Sequence, residues 1–567
     1  MAASLVSYQL ASKRRLLPND SEPPRKKLQS TKQLKNEELA EEYKILQAEK
    51  RDKAANPIKV PMKYAGGALR LTRTPGRSTV NTVSLKDLIR PYELRSAFVF
   101  SFFIEDDHLF QHFPFKRPER KDPGRPHCLV YVGRDISQDM TVAQCANLKT
   151  KRPKGDAEWD RVIAAAQENY QELYGRNFRA FYPRKNSGCM HSKLMVLIYP
   201  DFLRVVITSA NFMELDVILG DNHWFIQDFP RLSEDAAQDY TETSFERELI
   251  QHMEDLGCPD EFLDLHLRVA VFDFSAAKVY LVTSKPGNYS GEDARKYGQL
   301  RLRHVVRNKI LKCYEEEVPK MMFEVCVGSV GKLEAEDVVK NLLESCAGGR
   351  QKSKRRKPAL KMMFPTYDDV QNSRTPGVGN ISSHINWKML DENSASHLKD
   401  IFYHYRSTDT GTLFHMKSIL ALHADAPATT PPLYMYVGSA NFSAGAWGRV
   451  RVALRKNCGG KAPLRVEGLA NFECGVVVKG GDIAGMLETG NWGDIVPYMR
   501  PSDANKYQEG ERPYKASAGS AAIVMMDGEE EDKEGEDEDY LRAIELVNCL
   551  LERAAEGGGV LHLTVNL

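Results

Sequence analysis

The chain has 567 residues, 42% of them hydrophobic, and a formal net charge of +1, long and apolar enough for two domains with buried cores plus tails. No run of 18 apolar residues occurs and the opening MAASLVSYQLASKRRLL lacks a secretory signal's apolar core, which argues against a transmembrane helix or an exported protein. The ten cysteines are scattered with no Cys-x-x-Cys pair, as expected for reduced thiols of an intracellular protein and not for a disulfide framework or zinc site.

In chain order, residues 1–65 are rich in Lys, Glu, Pro, Asn and Gln and poor in aromatics, a composition that predicts a disordered arm, with a marginal helix near 36–50. Its clusters Lys13-Arg14-Arg15 and Arg25-Lys26-Lys27 read as a bipartite nuclear localisation signal, the plainer alternative being a solvated tail. From residue 66 to 275 apolar runs such as SAFVFSFF and HCLVYVGR predict buried strands, and DAEWDRVIAAAQENYQELYG an amphipathic helix. A second alternation of strands and helices, starting at AKVYLVTS, extends over 276–567 with polar insertions near 346–358, 448–466 and 503–537. The near-zero charge conceals a segregation: residues 527–539 hold ten acids and one lysine, which leaves about +10 on the rest of the chain.

One phrase is written twice, about 220 residues apart. His191-Ser192-Lys193 leads into LMVLI and then Ser209-Ala210-Asn211-Phe212; His415-Met416-Lys417 leads into SILAL and then Ser439-Ala440-Asn441-Phe442. Side chains two apart on a strand share a face, so each copy offers an imidazole, an ammonium and an amide together. Such groups suit phosphoryl transfer: an imidazole can attack or move a proton at neutral pH, and Lys and Asn can hold phosphoryl oxygens in place of a metal. A single His-x-Lys carries little weight; the repeated constellation points to one composite site, with no cofactor.

The duplicated His-x-Lys resembles that of the phospholipase D-like phosphodiesterases, whose pattern continues x4-Asp. That Asp position is Ile198 here in the first copy and Leu422 in the second. With Asn211 and Asn441 downstream, and with the stretches LRVVITSANF (203–212), FPTYDDV (364–370), GSANFSAGAWG (438–448) and NFECGVVV (471–478), the chain resembles the tyrosyl-DNA phosphodiesterase family, over roughly residues 68–500. The resemblance implies two similar α/β domains about a pseudo-twofold axis, with the site at their interface. It also implies a nuclear DNA repair hydrolase acting on a 3′-phosphotyrosyl bond to a topoisomerase I remnant. His191 would be the nucleophile, His415 the acid and base, and Lys193, Lys417, Asn211 and Asn441 the phosphate clamp. Glu473 matches a glutamate that orients one of the imidazoles, without indicating which. The first half should supply a matching polar residue ahead of Trp224, for which Asp221 is a candidate.

Ser329, in the turn Gly328-Ser329-Val330-Gly331, resembles a DNA-backbone contact, and Ser209 and Ser439 are further candidates for substrate contact. The basic residues Arg350, Lys352, Lys354, Arg355, Arg356 and Lys357, and then Arg449, Arg451, Arg455 and Lys456, could track phosphates or be solvated loops. The implied partners are single- or double-stranded DNA with a 3′ adduct and the topoisomerase-derived peptide, bound by a monomer with no membrane association. The alternatives are a catalytically silent DNA-end-binding protein, or another phospholipase D-like nuclease or lipase.

Overall fold

In the computed structural model the described residues are 61–514, apart from 119–120, 140, 143–152, 154, 185–187, 314–319, 332–334, 350–358, 375–399 and 453–463. The basic clusters at 13–15 and 25–27, the helix expected near 36–50, the basic run 350–357, Arg455, Lys456 and the acidic stretch 527–539 lie outside them. One boundary moves. Lys63 and Tyr64, assigned by composition to the arm, donate their backbone N–H groups to Asp228 Oδ2 at 2.9 and 3.0 Å, so packing of the first domain already claims them.

Eighteen strands are formed among the described residues: β1 (Ala68–Thr72), β2 (Thr82–Val83), β3 (Ser96–Ser101), β4 (Leu129–Arg134), β5 (Phe178–Phe181), β6 (Leu194–Ile198), β7 (Phe202–Thr208), β8 (His223–Pro230), β9 (Val279–Ser284), β10 (Gly287–Tyr289), β11 (Met321–Val327), β12 (Ala359–Phe364), β13 (Phe402–His404), β14 (Lys417–His423), β15 (Tyr434–Gly438), β16 (Arg449–Val452), β17 (Leu464–Leu469) and β18 (Glu473–Lys479). One sheet has the order β2-β1-β8-β7-β6-β3-β4-β5 and the other β13-β12-β11-β14-β15-β18-β9, with β10-β17-β16 forming a small third sheet. Read from its far end, the first sheet matches the second strand for strand, with β2 as an addition. Pair directions match as well: β3–β4 and β4–β5 are parallel like β11–β12 and β12–β13, and the remaining pairs of the series are antiparallel in both. The sequence repeat is a repeat of topology.

The strands are near-continuous apolar runs because each large sheet is covered on both faces. Leu69, Phe98, Leu194 and Val205 of the first sheet share one buried cluster with Met363, Leu420, Met435 and Val476 of the second, so the sheets pack on one another. The outer face of the first sheet lies on the predicted helix, which spans Asp156–Tyr174; Trp159, Val162, Ala166 and Tyr170 recur at helical spacing on its buried side. Acids in the first turn and Gly175 at φ 95° mark its two ends. The helices Gly298–Val305 and Ala335–Cys346 cover the second sheet with Leu302, Val305 and Leu342. The result is a helix–sheet–sheet–helix sandwich, and burying each large apolar side chain in it contributes about 2 kcal/mol.

Candidate active site

Both phrases occupy the lead-in to a central strand: His191 precedes β6 and His415 precedes β14, so the histidines sit just outside the strands instead of within them. Each lead-in is pinned by the opposite half. Phe472 N–H donates to Cys189 O at 2.8 Å and Asp221 N–H to Leu413 O at 3.0 Å. Backbone approach is so close beside the first contact that a Cβ on Gly188, at φ +87°, would lie 1.8 Å from Ala470 O; only glycine fits there. These two crossings bring the phrases together, and the imidazole centroids end 6.3 Å apart with their planes at 90°.

Each imidazole is buried and held by a carboxylate from the other half. His191 Nδ1 lies 2.9 Å from Glu473 Oε2, and His415 Nδ1 lies 2.8 Å from Asp216 Oδ2. An ionised carboxylate only accepts, so Nδ1 carries the proton in both rings and Nε2 is the reactive nitrogen. Glu473 is further fixed by the Ser439 hydroxyl at 2.5 Å and by Asn471 Nδ2 at 3.1 Å. Burial pushes its carboxyl up from the ordinary range, against the pull of Lys193 and these hydrogen bonds. For Asp216 burial acts in the same direction, but His415, Lys417 and the Asn211 N–H overcome it and hold the carboxyl below its ordinary value.

The lysines are equivalent in geometry. Lys193 Nζ donates to His191 O and Lys417 Nζ to His415 O, each at 2.6 Å, and neither side chain reaches solvent. Asn441 Oδ1 accepts the Ser329 N–H at 3.0 Å, which fixes the side of the amide that can donate. Asn211 Oδ1 is buried without a partner among the described residues. Two ammonium groups thus stand beside two imidazoles, and Asn211 is tied through its N–H to the carboxylate that holds His415, an arrangement matched to the charge of a phosphoryl group in flight.

The structure shows what surrounds the remaining sequence candidates. Asp221 serves neither imidazole: it takes the Tyr405 hydroxyl at 2.6 Å and Arg77 Nη2 at 2.8 Å, forming a buried tie between the halves. Alternation explains this, because Asp221 and Asn222 are adjacent and point to opposite sides of the chain. Ser209 and Ser439, offered as substrate contacts, are fully buried and spend their hydroxyls on Asn222 at 2.8 Å and Glu473 at 2.5 Å, one layer behind the imidazoles. Ser329 is buried against Asn441. Arg449 and Arg451 are exposed on β16, after the second phrase.

Two neighbours were missed. Asp216 carries no sequence signal beyond its charge, being 199 residues from the histidine it holds. Phe102, read as part of a buried run, lies just past β3 and is half-buried; its ring centroid is 5.8 Å from that of His191 and 5.8 Å from Lys193 Nζ. Alternation past a strand end can expose such a ring, but nothing in the run SAFVFSFF marks where the strand stops.

Comparisons with known proteins bear on the family and on the fold. A family model described as tyrosyl-DNA phosphodiesterase matches residues 68–537. Tyrosyl-DNA phosphodiesterase 1 of Arabidopsis thaliana is 31% identical over 155 residues, a stretch that spans 25% of this chain and 26% of the plant protein. The crystal structure of the yeast tyrosyl-DNA phosphodiesterase is similar at a TM-score of 0.50 and 15% identity, covering 73% of this chain and 90% of the yeast one. A mutant form of the yeast protein reaches 0.54 at 14% identity, covering 80% and 98%; at such identities the likeness speaks for the fold.

Proposed function

Because the chain belongs to the tyrosyl-DNA phosphodiesterase family, we propose that it hydrolyses the 3′-phosphotyrosyl bond between DNA and a topoisomerase I remnant through a covalent phosphohistidine. The observation that carries this reading is the pair of buried imidazoles with centroids 6.3 Å apart, each held through Nδ1 so that both Nε2 atoms can address one phosphorus. His191 Nε2 attacks; the bond from phosphorus to the tyrosyl oxygen breaks, and the leaving oxygen takes the Nε2 proton of His415, which enters this step as the imidazolium with Nδ1–H still on Asp216. Water then attacks the phosphohistidine, gives its proton to His415, and the P–N electron pair returns to His191, leaving a 3′ phosphate on the DNA. Lys193, Lys417, Asn211 and Asn441 bind the non-bridging oxygens throughout. The order of the two histidines follows the family resemblance; their geometry alone is nearly symmetric.

Other 3′ adducts joined through a phosphodiester fall within the same chemistry, since the clamp holds the phosphate. Arg449 and Arg451 are suited to track the strand. The basic clusters at 13–15 and 25–27 support a nuclear location, and no helix of the described residues is long and apolar enough to cross a membrane. The assembly proposed is a monomer on DNA.

Release of tyrosine from a 3′-phosphotyrosyl oligonucleotide by the full chain tests the reading, and binding without turnover would mean a silent end-binding protein. Turnover is expected to survive exhaustive chelation, because lysines and amides fill the place that cations take in many nucleases. Loss of cleavage in EDTA with recovery on adding magnesium or zinc would overturn that part.

A further inference from the structure

The two halves hold their imidazoles by different routes, and the register shows where they part. Ser209 N–H bonds His223 O at 3.2 Å and His223 N–H bonds Ser209 Oγ at 3.1 Å; in the second half Ser439 N–H bonds Cys474 O at 3.0 Å and Cys474 N–H bonds Ser439 Oγ at 2.9 Å. His223 and Cys474 are therefore equivalent, and so are the residues before them, Asn222 and Glu473. Glu473 proceeds directly to His191. Asn222 is a methylene shorter, and its Nδ2 donates to the main-chain carbonyl of Asp216 at 2.9 Å.

Asp216 completes the reach. It lies in the five-residue π-helical turn Leu215–Leu219, a widened turn of the kind found at functional sites. Its Oδ2 accepts both His415 Nδ1 at 2.8 Å and Asn211 N–H at 2.7 Å, so one oxygen ties the acid to a residue of the clamp.

We propose that Asp216 is the positioning residue of His415 and that its negative charge, delivered by the π-turn where Asn222 falls short, lets this site release 3′ adducts that leave as alkoxides as well as phenolates. The inference rests on the hydrolase reading above. The charged groups facing His415 are Asp216 from the turn, Lys417 from β14, Lys193 and His191 from the first phrase, and Glu473 beyond His191. Burial lowers the proton affinity of His415, and Lys417 and Lys193 lower it further; Asp216 is the group that opposes them. A phenolate, whose conjugate acid has a pKa of about 10, departs with little help. An alkoxide, with a conjugate acid as weak as water at about 16, needs the proton during bond cleavage. The carboxylate thus matters most where the leaving group is poorest.

The test uses the full chain and two oligonucleotides of one sequence, one ending in 3′-phosphotyrosine and one in a 3′-phosphodiester to a primary alcohol, with single-turnover rates from pH 6 to 9. In Asp216→Asn and Asp216→Ser, both neutral, the alkaline limb for the alcohol substrate is expected to move to lower pH. The tyrosyl substrate should lose rate evenly across pH, and the ratio of tyrosyl to alcohol cleavage at pH 8 should rise at least about fivefold. Asp216→Glu, which keeps the charge, should hold the limb near its wild-type position; the serine variant serves if the asparagine one does not fold. An unmoved limb with equal loss on both substrates would overturn the inference while leaving the hydrolase reading intact. A wild-type chain that cleaves neither substrate overturns both.

Discussion

The lysines of the two phrases close on their own histidine's carbonyl at the same 2.6 Å, while the carboxylates come from unlike places, Glu473 at the head of β18 and Asp216 in a π-helical turn. The residue between His and Lys differs as well: Ser192 is bonded to His252 Nε2 at 3.0 Å, whereas Met416 is packed in the apolar core. A duplicated site therefore keeps the groups proposed to touch phosphate and varies what stands behind them. The physical reason is that a clamp atom must occupy one position relative to phosphorus, whereas any buried acceptor within reach of Nδ1 can orient a ring.

Changing the histidines breaks the comparison most severely. His191→Ala removes the proposed nucleophile and should reduce turnover by on the order of 10^4 with no covalent adduct. His415→Ala should lose less on the tyrosyl substrate and accumulate protein bound to DNA, because the phenolate can leave but no base activates the resolving water. A denaturing gel after quenching reads this out: an adduct on His191→Ala mapping to His415, and none on His415→Ala, would exchange the two roles. The lysines come next. Lys193→Met and Lys417→Met should each cost about 10^2 to 10^3 in turnover and agree within about tenfold, as expected for groups that see one phosphoryl oxygen shell from two sides. A much larger disparity would show that the symmetry of their geometry is not a symmetry of function.

What the sequence made legible follows the same division. The strands could be read because both faces of each sheet are covered, so a run such as LMVLI has no polar position to blur it. The proposed clamp stands out in the sequence because its residues are repeated in type and spacing. The supporting layer could not. Which ring Glu473 orients depends on a crossing 282 residues wide in sequence, fixed by Cys189, Phe472 and the glycine at 188. Asp216 is invisible because its turn is π-helical, and the position that does repeat, Asn222, spends its amide on the Ser209 hydroxyl and the Asp216 carbonyl. Asp221 was the nearest charge to that position and faces the wrong way.

The smallest effect expected concerns stability, and it should sharpen the contrast between the halves. The first half buries two neutral histidines for which the second has no equivalent: His223, where the second half has Cys474, and His252, behind Ser192. Burial pushes both down to about 4, and each has a buried Nδ1 without a partner among the described residues, so a second proton there would be an unpaired buried charge. Both stay neutral when folded and protonate in the unfolded chain below about pH 6.5, which places their stabilisation above that pH and its loss between 6.5 and 4. By pH 5 the loss is about 2 kcal/mol for each. His252→Gln keeps a partner for Ser192 and cannot titrate, so denaturant unfolding compared at pH 7 and pH 5 should show a fall smaller by about 2 kcal/mol than in the unaltered chain. An equal fall in both would move the acid sensitivity away from the first half and remove this asymmetry between the phrases.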